Sequence, residues 1–209
     1  MPLLGNLDTR TESWSYVELV GEPNSDTGFL ATETPCSIES DGGLLVTRAG
    51  PALLAGLALA SWELRVSETG ELIANRGTYL LGYRSPAWTG SEALPTQSDD
   101  PRVTDPDGDG IPGAAMTVDV WGIGALHLQV VSAWSTMLVG RLRGPAAEGL
   151  VRAMPREEIL SGLPFPGRLS PMQVRAERSR FRLLPVPRAV GGCTAVDVVR
   201  RGAGPGALP

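Results

Sequence analysis

The sequence predicts an all-β fold, an antiparallel barrel of the up-and-down, lipocalin-like kind or a β-sandwich, on three observations. Apolar and polar residues alternate with a period of two along most of the chain, the mark of strands with one buried face. Glycine and proline supply 44 of 209 residues (26 Gly, 18 Pro), which favours many turns over long helices. Short turn-like clusters separate the alternating runs at regular intervals, as in sandwiches and barrels.

Taken in order, the elements read as follows. Leu53 to Leu59 is rich in alanine and leucine and suits a short helix, which Gly56 weakens. In Ser61 to Ser67, Trp62, Leu64 and Val66 share one face while Glu63 and Arg65 take the other. Glu68-Thr69-Gly70 is a turn, and Leu72 to Tyr83 forms one or two further strands. Met116 to Trp121 and Ala125 to Val131 flank Gly122-Ile123-Gly124, a hairpin signal. Met137 to Leu142 and Gly149 to Met154 flank a second turn at Arg143 to Glu148. Arg178, Arg180 and Arg182 alternate with apolar residues, as on a solvated sheet face, and Cys193 to Val199 alternates again, which predicts a last strand. Residues 202–209 read as a flexible tail.

Charge divides unevenly. Met1 to Gly140 carries 6 Arg against 18 carboxylates, and Arg141 to Pro209 carries 12 Arg against 5, giving −12 and +7 and the net −5. With no low-complexity linker between the two stretches, one domain over residues 1–209 is expected.

Missing residue types exclude whole chemistries. All 18 basic residues are arginine, so there is no Schiff-base lysine and no phosphate loop of the GxxxxGK[ST] kind. The one histidine, His127, rules out zinc sites built on several imidazoles and an HExxH helix. It lies in Leu126-His127-Leu128 without a GxSxG elbow to serve, and reads as a surface or pocket histidine. Overall acidity and the lack of aromatics interleaved among the arginines argue against a nucleic-acid partner. The most apolar stretch, Pro51 to Ala60, is too short to span a bilayer.

Cys36 and Cys193 belong to no CxxC pair. Either they form one long-range disulfide, stapling the first and last strands and contributing up to about 4–5 kcal/mol, or they are two buried thiols. The disulfide is the favoured reading, and it implies an oxidising compartment, extracellular, periplasmic or at the cell surface. The sequence starts without a basic leader or apolar core, so a signal peptide is not visible.

The most informative stretch lies in the long polar segment Ser85 to Asp109 and just beyond it, with a calcium-loop segment at 95–113. Asp105, Asp107 and Asp109 occupy positions 1, 3 and 5 of DPDGDGIPG, with Gly110 at 6, as in the first half of an EF-hand loop. Calcium takes six to eight hard oxygens, and alternating carboxylates in a tight turn aim theirs at one point; the Ile111 carbonyl is the expected next ligand. Position 12 is Met116 where a bidentate carboxylate belongs, so the missing oxygens are expected from Asp119, or from Asp99 and Asp100. Weak Ca2+ binding follows, at about 0.1–1 mM. Trp88, in the same polar segment, is a candidate for contact with a sugar or a partner protein.

DPDGDGIPG resembles the calcium loops of thrombospondin type-3 repeats. Together with Leu94-Pro95-Thr96, Asp99 to Val103 and a cysteine near each end, the chain resembles β-rich secreted proteins of myxobacteria and similar genomes. That resemblance implies export and brings no activity with it. The function expected is therefore a non-enzymatic, exported, calcium-stabilised β domain that binds or builds a surface. Its partner would be a protein, a polysaccharide or an apolar ligand, and edge strands could join copies into a homo-oligomer. The alternatives are a polysaccharide hydrolase with two unidentified carboxylates, and a lipocalin-like carrier with a cavity lined by Trp62, Leu64 and Val66.

Overall fold

A computed structural model of the chain describes residues 9–21, 28–57, 60–85, 90–162, 174–186 and 191–203. Trp88 and the tail from residue 204 lie outside the described residues. The fold is all-β and antiparallel, as predicted. Its elements are β1 (Arg10–Val20), β2 (Phe29–Asp41), β3 (Leu45–Ala49), α1 (Pro51–Gly56), β4 (Ala60–Val66), β5 (Glu71–Leu81), β6 (Ala114–Val120), β7 (Gly124–Arg143), β8 (Ala146–Ser161), β9 (Arg180–Leu183) and α2 (Gly192–Ala203).

Two strands organise the sheet because they are long enough to be shared. Along one edge, β2 pairs with β4 through Phe29–Glu33 and with β3 through Glu39–Asp41. β7 pairs with β6 through its first part and with β5 through Ser132–Arg141. With β4 on β5 and β3 on β6, the pairings run β2–β4–β5–β7–β6–β3 and return to β2. The other edges of β2 and β7 carry β1 and the β8–β9 pair. This neighbour order is not that of a meander, because β5 pairs with β7 past β6, and β2 touches three strands. The two hairpins read from sequence, β6–β7 and β7–β8, are present. What read as two strands, 125–131 and 137–142, is one strand of 20 residues.

The inward faces form separate cores. Ala31, Trp62, Leu64, Leu72, Ala74, Leu138 and Ala147 pack together under β9, joined by Phe181 and Leu183. Trp62 and Leu64, named above as walls of a carrier cavity, are packing residues of this cluster. A second cluster gathers Ala114, Val118, Leu128 and Val130 with Leu53 of α1 and Leu57 just beyond it. Proline at the start of α1 needs no N–H partner there, and the helix starts two residues before the expected Leu53 and ends at Gly56, short of the expected Leu59.

The first core continues into one charged group. Glu33 is 5% exposed, and it accepts hydrogen bonds from Trp62 Nε1 at 3.1 Å and from Arg76 Nη2 at 2.5 Å. Phe29, Ala31 and Glu33 alternate onto one face of β2, as do Leu72, Ala74 and Arg76 on β5, so period-two geometry delivers acid and base to the same interior edge.

Gly140 and Gly149 face each other across β7 and β8. A Cβ on Gly140 would lie 2.2 Å from the Glu148 carbonyl oxygen and 2.9 Å from the Phe181 ring, so the strands approach closely only because both positions lack side chains. Gly140→Ala is expected to cost about 1–3 kcal/mol through overpacking. Guanidinium unfolding measures it, and a loss under about 0.5 kcal/mol would show that the strands shift without strain.

The C-terminal segment departs from expectation. Cys193 to Val199 belongs to α2, not to a strand, and it lies against β1 and β2. Buried Ala195 and Val196, with half-buried Val199, recur at helical spacing, and the alternation read from the sequence is incidental to that stripe. Cys36 and Cys193 are bonded, with S–S 2.06 Å and Cα–Cα 5.3 Å. The disulfide therefore ties β2 to a helix, not the first strand to the last.

Candidate metal centre

The aspartate loop is fixed at its neck before any side chain acts. Thr104 N–H donates to the Gly82 carbonyl and Gly113 N–H to that of Thr104, both at 2.8 Å, closing the loop onto the sheet. Gly108 and Gly110 turn it, at φ +70° and +83°, where a side chain would be strained.

Within the loop, Asp105 acts as the hub. Its Oδ1 accepts from Gly108 N–H at 2.7 Å and Asp109 N–H at 3.2 Å, and its Oδ2 from Gly110 N–H at 2.8 Å. These backbone donors, Gly110 foremost, hold the Asp105 carboxyl below the usual range. Asp109 Oδ1 accepts from Ile111 N–H at 2.7 Å. Two contacts dock the loop on the sheet: Ala115 N–H reaches Asp107 Oδ2 at 3.0 Å, and Gln129 Nε2 reaches Asp109 Oδ2 at 3.2 Å. Ala115 and Gln129 are cross-strand partners of β6 and β7, so a single rung of the sheet holds both aspartates.

Asp105, Asp107 and Asp109 each offer an oxygen within 4.8 Å of the others, a group that could hold a metal ion. One ion with 2.3–2.6 Å bonds spans opposed ligands up to about 5 Å apart, so the spacing fits a single cation. Burial is the main cause pushing the Asp107 carboxyl above the usual range. Asp107 Oδ1 is buried with no hydrogen-bond partner among the described residues, an oxygen that a cation would satisfy.

Asp119 and Asp100 are engaged in ion pairs, while Ile111 belongs to the loop itself. Asp119 sits on β6 four residues beyond Ala115, about 13 Å further along the strand, and its Oδ2 is 2.8 Å from Arg48 Nη1. It is an ion-pair residue, not a ligand. Asp100 is held by Arg102, with Oδ2 2.7 Å from Nη2. That bond lowers its carboxyl to about 2 and commits it to the arginine, not to the loop. Ile111 is half exposed, with its N–H given to Asp109. His127 is exposed on β7, with Nδ1 3.5 Å from the Thr117 hydroxyl. Gln129 is the residue that sequence reasoning missed. The one signal was an amide between apolar Leu128 and Val130.

Comparison with family models, with curated proteins and with solved structures returned no match.

Proposed function

We propose that this chain is a non-enzymatic, exported β domain whose acidic loop is pinned by calcium and which serves in binding or surface structure. The reading rests chiefly on three carboxylates close enough to share one ion, one of them Asp107, whose buried Oδ1 has no hydrogen-bond partner among the described residues. Three like charges so close repel one another until a cation lies between them, and an all-oxygen donor set suits a hard ion such as Ca2+. The disulfide supports an oxidising destination. Leu44, Trp121 and Ile123, 51%, 81% and 73% exposed, project from the neighbouring β2–β3 and β6–β7 turns, where Trp121 N–H bonds the Leu44 carbonyl. They give a binding role its apolar surface.

A thermal melt of the non-reduced protein tests the reading. With affinity in the weak range, 10 mM calcium stabilises by about 1.4–2.7 kcal/mol relative to chelator. That raises the melting point by about 3–10 °C in a chain of this length. The rise should vanish in Asp107→Ala Asp109→Ala. No shift in the unaltered protein would reduce the loop to an acidic turn.

A further inference from the structure

We infer that the side-chain amide oxygen of Gln129 is the fourth side-chain ligand of the loop's cation, entering from β7 in place of the carboxylate missing at position 12. The inference rests on the calcium reading above and adds a ligand that the loop itself cannot supply.

Gln129 is 6% exposed, and its amide is already at the cluster, with Nε2 3.2 Å from Asp109 Oδ2. Its Oε1 is buried and has no hydrogen-bond partner among the described residues. A buried amide oxygen left unpaired is costly, and Asp107 Oδ1, in the loop that Gln129 holds, is likewise without a partner among the described residues. One cation answers both. The two ends of a carboxamide are nearly isosteric, so a half-turn about its last torsion exchanges donor and acceptor. Without the ion, Nε2–H donates to Asp109; with it, Oε1 faces the same point as a ligand. Gly113, at φ +109°, packs against the base of the same side chain, where a Cβ would lie 3.2 Å from the Gln129 Cβ.

The substitution of amide for carboxylate also fits the charge count. Three aspartates around a dication leave one negative charge, and a neutral fourth ligand adds oxygen without adding repulsion. Fewer charged ligands place the affinity in the weaker classes of calcium site. Because Gln129 lies on β7, the ion joins the loop directly to the strand on which the whole sheet closes.

The test is titration calorimetry of the chelator-treated, disulfide-intact chain with calcium chloride alone. Gln129→Met keeps length and removes the oxygen, and is expected to weaken binding on the order of tenfold; Gln129→Glu restores a carboxylate and is expected to tighten it. Asp119→Asn should leave the affinity unchanged. A Gln129 that only packs would lower the melting point of Gln129→Met without moving its calcium affinity, and that result overturns the assignment while the calcium reading stands. If Gln129→Met fails to fold by circular dichroism, Gln129→Glu decides, and an affinity within about twofold of the unaltered chain overturns the assignment. An unaltered chain that binds no calcium at millimolar concentration fails at the earlier step, and both readings fall.

Discussion

Cys193→Ser, or reduction of the intact protein, should lower the melting point by about 10–20 °C. The Cys36–Cys193 bond spans 157 residues, and closing so long a loop in the unfolded chain is worth about 5 kcal/mol in the chain-entropy model. In a chain of this length each kcal/mol moves the midpoint by about 2–4 °C. Among the described residues, two further kinds of contact hold α2. Ala195 and Val196 bury their side chains, and the Arg200 guanidinium lies 5.9 Å from the centre of the Trp14 ring, a contact worth about 0.5–1 kcal/mol where water reaches it. Limited proteolysis gives an independent reading, since α2 should be trimmed first once the bond is gone. Equal melting points with and without reductant would mean that the helix docks by packing alone.

Removing Arg76 should cost about 3–5 kcal/mol, because the buried Glu33 carboxyl would lose its ion-pair partner and be left with Trp62 Nε1 among the contacts described above. The same arithmetic makes the double replacement Glu33→Leu Arg76→Leu far milder than either Arg76→Leu or Glu33→Leu alone. Taking both partners out removes the desolvation cost together with the attraction, whereas taking one leaves a stranded charge. Guanidinium unfolding of the two single variants and the double variant measures this directly. If the double variant loses as much as the two singles added together, the pair is not coupled and its burial has another cause.

Strand positions were legible in the sequence because alternation is local: Trp62, Leu64 and Val66 announce a face wherever the strand goes. Pairing was not, because nothing near Leu72 to Tyr83 says that its partner lies beyond residue 130. The end of the chain misled for a related reason. In Cys193-Thr-Ala-Val-Asp-Val-Val, the apolar residues satisfy both a period of two and a stripe at 195, 196 and 199, and docking on β1 and β2 selects the helix. The candidate metal site divides along the same line. Asp105, Asp107 and Asp109 were readable since their spacing within one turn is itself the geometry. The further ligands expected nearby in sequence, Asp119 and Asp100, are each taken by an arginine. Gln129 arrives by register across β6 and β7, and register is a property of the sheet.

The closed circuit of pairings has a consequence in time. Its N-terminal arc can begin on local hairpins, but β5 and β6 find their common neighbour only once β7 is available. A topology dominated by such distant partnerships folds slowly, in milliseconds to seconds, with unpaired edges open in the interval. During synthesis, at roughly 5–20 residues per second, Cys36 would wait for its partner for about 8–30 s. Oxidation of that pair is therefore a clock that stops only when the sheet has closed and the last helix has found its seat, and thiol-trapping during refolding would read it directly.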